Sequence, residues 1–205
     1  HNGVDTERFA RARLGSARDD VRAGLGIDAD ATVFLMVAHN LALKNFALLE
    51  TVFRRLHVVL PGARLVLLGK RRPNVDAPWF MYAGLSDCPE RMYAAADVLL
   101  HPTFYDACAN VVLEAMASGL AVVSSDRNGS AELIESGSTG LVLPVVGRGA
   151  AVEMAWQQAI RELTEEPEHR RRLGEGAKAA AGALSMERYV DRFEALLEQI
   201  AESAD

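Results

Sequence analysis

Residues 98–123 read VLLHPTFYDACANVVLEAMASGLAVV, and this stretch decides the predicted fold. The apolar runs Val98–Leu100 and Ala121–Val123 predict two buried strands, because parallel strands that are covered on both faces lack polar alternation. Residues 111–117 are typical of a short helix, which Gly119 ends. The predicted order is therefore strand, loop, helix, strand.

Two carboxylates lie in this stretch, Asp106 on the loop and Glu114 inside the helix. Ligands of open α/β sheets bind where strands end and helices begin. Glu114 is surrounded by apolar residues in the sequence, and a carboxylate in such a place is costly unless it is hydrogen-bonded. Two hypotheses follow: the acids hold the hydroxyls of a sugar and of a ribose, or they are a loop cap and part of a solvated helix face.

The alternation of strands and helices continues along the chain. Strands are predicted at residues 32–37, 64–69, 79–83, 98–101, 121–124 and 140–144. Helices are predicted at residues 19–25, 46–56, 91–96, 111–117, 129–132, 150–165, 167–180 and 186–200. Strands that alternate with helices predict an α/β fold, with a Rossmann-like, mostly parallel sheet, helices on both faces and further C-terminal helices.

Composition narrows the class of protein. The 205 residues suffice for one large α/β domain or two small ones, and the net charge of −6 disfavours non-specific nucleic-acid binding. No apolar run approaches the roughly 18 residues of a membrane span, and no signal peptide is visible. Cys88 and Cys108 fit no zinc spacing, which favours a reduced, cytoplasmic setting. Cys108 is predicted to line a pocket rather than to act as a nucleophile, because no histidine motif would activate it.

Two further features favour an anion near the acids. Residues 107–110 lead into the predicted helix, and free N–H groups at a helix start attract an anion such as a diphosphate. Lys44 follows the strand at residues 32–37, at the sheet edge where phosphates collect. Taken alone, Lys44 is more typical of an ordinary surface lysine. Gly129 and the segment 137–140 indicate turns before they indicate ligand contacts.

Several motifs occur together in the chain. They are Asp106-x7-Glu114-Ala115-Met116-Ala117-x-Gly119, Gly129-x-x-Glu132, Gly137-x-Thr139-Gly140 and Tyr93-x-x-Ala96-Asp97-Val98-x-Leu100-x-Pro102. This combination resembles the C-terminal, donor-binding domain of retaining glycosyltransferases with the GT-B fold. The resemblance is to the large family four, which includes enzymes of the bacterial lipopolysaccharide core, and it covers nearly the whole chain.

The resemblance implies a role for each candidate residue. Asp106 would contact the transferred sugar and Lys44 the diphosphate, both as catalytic residues, and Glu114 would hold the ribose hydroxyls. The other implied donor-binding residues are His39, Asn40, Tyr82, Ala83, Ala109, Asn110 and Val111. Tyr82 and Ala83 would lie near the base. No cofactor is implied, and this arrangement requires no metal because it includes no Asp-x-Asp cluster for one. The substrate would be a nucleotide diphosphate sugar, by expectation a UDP-sugar.

The chain departs from the family pattern at four places. Asp106 stands where glutamate is usual, and His39, five positions before Lys44, stands where the family has a phosphate-binding arginine. Ala121 replaces a usual proline. The segment 71–78 is shorter than in the family, so that a helix that often occurs there is expected to be absent.

The resemblance also implies a domain organisation. Residues 1–205 would be the donor-binding half of a GT-B enzyme, with 1–30 as the inter-domain stretch and first helix, and 185–205 as the C-terminal helix. The N-terminal acceptor domain would be absent, and this half would be inactive alone. We expect a parent enzyme that moves a sugar to a glycan or lipid-linked acceptor in the cytoplasm, with peripheral contact at the inner face of the membrane and no nucleic-acid partner.

Two other functions stay open at this point. A GT-B relative that epimerises nucleotide sugars would share the fold and the nucleotide cleft. A non-catalytic nucleotide-binding module is favoured by the departures at Asp106 and His39. A dehydrogenase is disfavoured, because no GxGxxG follows the first strand.

Overall fold

The computed structural model describes residues 2–202, in which a six-stranded sheet carries helices on both faces. The strands are β1 Thr32–Val37, β2 Ala63–Leu68, β3 Phe80–Gly84, β4 Val98–His101, β5 Ala121–Ser125 and β6 Leu141–Leu143. All five pairings between these strands are parallel, which confirms the predicted Rossmann-like α/β fold. Parts of the predicted inter-domain stretch and C-terminal helix, residue 1 and residues 203–205, lie outside the described residues.

Eight α-helices accompany the sheet in the described part of the chain. They are α1 Thr6–Ala12, α2 Ala17–Gly24, α3 Phe46–Leu56, α4 Pro89–Ala95, α5 Asn110–Ala117, α6 Gly149–Glu165, α7 Pro167–Ala181 and α8 Met186–Glu202. Helices α3 and α6 pack on one face of the sheet. Helices α1, α4, α5 and part of α7 pack on the other. The central strands are therefore buried on both sides, as their continuous apolar runs predict.

The order of the strands is β3-β2-β1-β4-β5-β6. The chain builds outward from β1 in one direction and, after β3, returns to build outward from β4 in the other. The order thus reverses between β1 and β4. The loops that follow these two strands diverge there and leave a crevice at the carboxyl edge, where open α/β sheets bind ligands.

Most predicted elements agree with the structure to within two or three residues, and β1 and β4 have the predicted bounds. Helix α1 was not predicted, because the segment is polar and only Phe9 of the helix is buried. Phe9 packs edge-on against Tyr93, with ring centroids 5.3 Å apart. The segment between β2 and β3 contains no helix, as expected from its length.

Helix α8 begins at its predicted cap, since the side chain of Ser185 accepts a hydrogen bond from the N–H of Arg188 at 3.3 Å. Its apolar stripe is largely open to solvent. Phe193, Leu196, Leu197 and Ile200 are each 51–56 % exposed. Within residues 2–202, no helix combines the length and the apolar character needed to cross a membrane.

Asp97 joins two elements at the amino edge of the sheet. Its carboxylate accepts hydrogen bonds at 2.8 Å from the guanidinium groups of Arg18 and Arg22 and from the backbone N–H of Val33. Arg22 is 3 % exposed, and it also donates to the backbone carbonyls of Ala95 and Ala31. Asp97 therefore ties α2 to the beginning of β1, and its position in the family-like motif has a structural reason.

Replacement of Asp97 by alanine should destabilise the fold strongly, by about 3–5 kcal/mol, because it leaves the buried guanidinium of Arg22 without its counter-ion. Urea unfolding followed by circular dichroism measures the change. Glu7→Ala is the matched control, since its ion pair with Arg11 is largely exposed and should leave the urea midpoint nearly unchanged. Equal midpoints for the two variants would contradict the role given to Asp97.

Candidate functional site

The loops after β1 and β4 are hydrogen-bonded to each other. The backbone carbonyl of Leu43 accepts from the N–H of Phe104 at 3.0 Å and from the hydroxyl of Thr103 at 3.3 Å. Because Leu43 precedes Lys44, and Phe104 lies two residues before Asp106, these bonds bring the two predicted catalytic residues together. The pairing is long-range in the sequence, so only the strand order could predict it.

Lys44 and Asp106 form an ion pair in which the Lys44 ammonium donates to Asp106 Oδ2. Both side chains are partly buried, with 18 % and 21 % of their surfaces exposed. The Lys44 loop is held by Asn45, whose φ of 57° is a left-handed conformation that asparagine tolerates. It is also held by Asn40, whose carbonyl and side-chain oxygens accept from the N–H groups of Lys44 and Leu43.

A cavity of about 310 Å³ opens around this ion pair. Its lining consists of Val37, Ala38, His39, Asn40, Lys44, Asp106, Cys108, Ala109, Asn110 and Val111. Seven of the ten predicted site residues are among them, and Cys108 lines the cavity as predicted. The first turn of α5 lies at the same cavity, so that backbone N–H groups without helical partners are close to Lys44.

His101 lies behind Asp106, at the end of β4. Its Nε2 atom is 3.6 Å from Asp106 Oδ2, which is too long for an ordinary hydrogen bond, and it has no hydrogen-bond partner in residues 2–202. This polar contact with the imidazole, followed by that with the Lys44 ammonium, holds the pKa of Asp106 well below its usual range. Burial lowers the pKa of His101. At neutral pH the site thus contains a carboxylate, an ammonium and a neutral buried imidazole.

Glu114 has a partner that the sequence did not indicate. The hydroxyl of Tyr93, on α4, donates to Glu114 Oε2 at 2.5 Å. Burial raises the pKa of Glu114, and the bond from Tyr93 opposes this effect. Burial also raises the pKa of Tyr93 well above its ordinary value, so Tyr93 remains a donor. The hydrogen bond from Tyr93 therefore offsets part of the cost of burying the Glu114 carboxylate. The other acceptor positions of this carboxylate could accept hydrogen bonds from a ligand.

Three predicted residues, Glu114, Tyr82 and Ala83, do not line the cavity around Lys44. Glu114 lies one helical turn beyond Asn110 on α5. Ala83 is close to the end of β3, and it packs with residues on the α5 side of the sheet. Tyr82 packs on the opposite side, and its hydroxyl donates to the carbonyl of Gly69 at 2.8 Å. The roles of Tyr82 and Ala83 at a base stay predictions.

A buried polar network supports the Asp106 loop. The side chain of Asn128 accepts from the N–H groups of Ala109 and Ser130 and donates to the hydroxyl of Ser124. Gly129 lies so close to this loop that a Cβ atom there would be 1.9 Å from the carbonyl oxygen of Ala107. Gly129 therefore has a packing function as well as the predicted turn.

Sequence reasoning missed His101, Tyr93 and Asn128 as parts of the site. A histidine at the end of a strand, directly before an acidic loop, was a usable indication for His101. Tyr93 was noted only as the first residue of a family-like motif, and Asn128 gave no indication, because the contacts that define them join separate elements. Within residues 2–202, no three His, Cys, Asp or Glu side chains are placed to hold a metal ion.

The buried imidazole of His101 should make stability depend on pH. The unfolded chain binds a proton on this histidine below about pH 6.5, whereas the folded protein resists protonation, so the contribution of His101 to the free energy of unfolding should fall from pH 7 to pH 5. The raised pKa of Glu114 acts in the opposite direction. Asp106 titrates at lower pH and does not contribute to this window. His101→Gln should remove part of the slope in urea unfolding, and His57→Gln, on a partly exposed histidine, is the matched control. The same slope for wild type and His101→Gln would contradict this.

Comparison with known proteins places the chain in a family. Lipopolysaccharide core biosynthesis glycosyltransferase LpsE of Rhizobium meliloti (strain 1021) is 31 % identical over 188 residues, covering 86 % of this chain and 52 % of the relative. D-inositol 3-phosphate glycosyltransferase of Saccharomonospora viridis is 30 % identical over 210 residues, covering 92 % and 47 %. The chain thus spans about half the length of the curated relatives that it matches.

Solved structures agree in fold. Anabaena Alr3699/HepE in complex with UDP and glucose superposes with a TM-score of 0.83 at 18 % identity, covering 97 % of this chain and 56 % of the other. WaaG, a glycosyltransferase involved in lipopolysaccharide biosynthesis, gives a TM-score of 0.76 at 21 % identity, covering 90 % and 52 %. The sequence model of the family described as glycosyl transferases group 1 matches residues 17–180. The chain therefore belongs to the group 1 glycosyl transferases.

Proposed function

We propose that this chain is the donor-binding half of a retaining glycosyltransferase, which transfers a sugar from a nucleotide diphosphate sugar to a glycan or lipid-linked acceptor. Its membership of the group 1 glycosyl transferases supports the reaction class. The observation that carries the proposal is the placement of Lys44 and Asp106 in one cavity, at the point where the strand order reverses. Retention and the family-four grouping rest on the motif that contains Asp106 and Glu114.

Lys44 and the first turn of α5 would bind the diphosphate. The Lys44 ammonium has three N–H donors, so it can keep Asp106 and still donate to a phosphate oxygen. The N–H groups of Asn110 and Val111 lie at the start of a helix, where the backbone dipoles favour an anion. When the bond between the anomeric carbon and the diphosphate oxygen breaks, its electron pair leaves with the diphosphate. Positive groups that are fixed beforehand stabilise that charge.

Asp106 would orient the transferred sugar. Its carboxylate is ionised and held by neighbours on two sides, so it is a fixed acceptor for sugar hydroxyls. Such positioning lowers the barrier because the reacting carbon is held in one geometry relative to the acceptor oxygen. No metal ion or cofactor is assigned, because the Lys44 ammonium and the N–H groups at the start of α5 would supply positive charge to the diphosphate.

Glu114 would accept hydrogen bonds from the ribose hydroxyls, which are donors suited to the acceptor positions that Tyr93 leaves unused. His39 and Asn40 line the cavity beside Lys44. Tyr82 and Ala83 are proposed to lie near the base, and a uridine nucleotide is the proposed ligand. The Anabaena protein HepE, whose solved complex contains UDP and glucose, supports that choice.

The acceptor is proposed to bind outside this chain. The chain spans about half the length of its relatives, and a second domain on the same polypeptide would complete the cleft. The involvement of LpsE and WaaG in lipopolysaccharide biosynthesis supports an acceptor of the lipopolysaccharide core. A cytoplasmic location, at the inner face of the membrane, belongs to the same proposal.

Isothermal titration with UDP tests the donor site. Lys44→Ala should weaken binding about tenfold or more, the loss expected for one charge-assisted contact of about 1.5–3 kcal/mol. Lys178→Ala, on α7 beside Gly119, is the control and should bind as the wild type does. The wild type should prefer UDP to 2′,3′-dideoxy-UDP, and Glu114→Ala should lose that preference. Equal UDP affinities for wild type and Lys44→Ala would contradict the proposed phosphate site.

Product analysis tests the reaction. A two-domain protein that carries this chain should form a glycoside with the anomeric configuration of the donor, which NMR of the product reads directly. Asp106→Asn should lower kcat about 100-fold, because the sugar loses its orienting contact. Asp126→Asn, on an exposed acid nearby, is the control.

Inversion, an epimerised free donor, or no product from the two-domain protein would each contradict the assigned reaction. The 205-residue chain alone should bind the donor without transferring it. Transfer by this chain alone would contradict the proposal that the donor binds to this chain and the acceptor to a second domain.

A further inference from the structure

The cavity around Lys44 has little net positive charge of its own. The Lys44 ammonium is paired with Asp106, and the low pKa of Asp106 keeps that carboxylate ionised at neutral pH. Burial keeps His101 neutral. A diphosphate carries more than one negative charge and would enter next to the Asp106 carboxylate. Besides Lys44 and the partial charge at the start of α5, cations beside the cavity would help to offset the charge of a diphosphate.

A second cavity of about 430 Å³ adjoins the first at the carboxyl edge of the sheet. Its lining consists of His39, Asn40, Leu41, Ala42, Lys70 and Arg71. His39 and Asn40 line both cavities, so the two are neighbours across a single stretch of backbone. The second cavity thus places two cationic side chains next to the site proposed for the phosphates.

The loop that carries these cations is fixed against β1. A Cβ atom at Gly69 would be 1.9 Å from the carbonyl oxygen of Ala38, so the loop approaches the end of β1 as closely as only glycine permits. The carbonyl of Gly69 accepts from the hydroxyl of Tyr82 at 2.8 Å, and its N–H donates to the carbonyl of Gly84 at 2.7 Å. Lys70 therefore leaves the sheet from a defined position.

Lys70 and Arg71 are not engaged with acids. Neither side chain forms an ion pair or a hydrogen bond with another residue among residues 2–202. Many other cations of this acidic protein are paired, for example Arg8 with Glu90 and Arg55 with Glu153. Two unpaired cations side by side repel each other, and an anion between them would remove that repulsion.

We propose that Lys70 and Arg71 form a second cationic arm of the donor site, which binds phosphate oxygens of the nucleoside diphosphate from across His39 and Asn40. The inference rests on the proposed donor function and adds a phosphate-binding element to it. In this arrangement Lys44 approaches the diphosphate from the side of Asp106, and the arm approaches from the side of β2. Tyr82 then acts as a positioning residue, because its hydroxyl holds the carbonyl that precedes Lys70.

The test compares the double variant Lys70→Gln/Arg71→Gln with wild type by isothermal titration of UDP, UMP and uridine at about 50 and about 200 mM salt. The double variant should bind UDP about tenfold more weakly, with a smaller effect on UMP and none on uridine. Its UDP affinity should also depend less on salt, because fewer charges are neutralised on binding. Arg72→Gln, in the same loop but at a separate cavity with Asp76, should bind UDP within about twofold of wild type.

Three outcomes would overturn the inference. If the double variant binds UDP as tightly as wild type while Lys44→Ala binds it more weakly, the proposed donor site stands and the second arm does not exist. If uridine affinity falls together with UDP affinity, the loop has a structural role only. If wild type binds none of the three ligands, the donor site and the arm fail together. Equal urea midpoints for wild type and the double variant, both of whose altered residues are exposed, show that folding is unaffected.

Discussion

The carbonyl of Leu43 is the point on which the site depends, because two loops from separate halves of the chain meet at it. The strand order brings the loops after β1 and β4 to one edge, but it leaves them diverging. The hydrogen bonds that Phe104 and Thr103 donate to Leu43 hold the two loops together. The left-handed backbone of Asn45 then turns the chain into α3, and Lys44 reaches Asp106.

Much of the fold could be predicted from sequence because its central strands carry continuous apolar runs. β1 and β4 are covered on both faces, and a short uninterrupted apolar run is typical of such a strand. Helix α1 escaped prediction for the opposite reason. Its stability comes from one buried ring, Phe9 against Tyr93, and from the side chain of Asp5, which accepts from the N–H of Arg8. Neither the packing of Phe9 nor its partner is visible in a local pattern.

Site residues could be predicted where their position directly after a strand indicates that they lie at the carboxyl edge of the sheet. Lys44 and Asp106 each follow a predicted strand, so their meeting could be expected from the order of elements. His101 ends a predicted strand directly before the acidic loop, so its position was a usable indication that the analysis of the sequence missed. Tyr93 could not be assigned in this way, because a buried phenol is typical of the core until its neighbours are known. The hydroxyl of Tyr82 shows the same limit, since it is engaged with Gly69 and with no residue of the first cavity.

In the proposed reaction, the ion pair between Lys44 and Asp106 would have a consequence for turnover. An enzyme that releases a nucleotide after every cycle must not hold its product too well. If Lys44 binds the diphosphate as proposed, the Asp106 carboxylate and the nucleotide compete for one ammonium, and Asp106 remains its counter-ion when the product departs. In the proposed reaction this competition would limit product inhibition, and the two charges would balance each other before the next donor arrives.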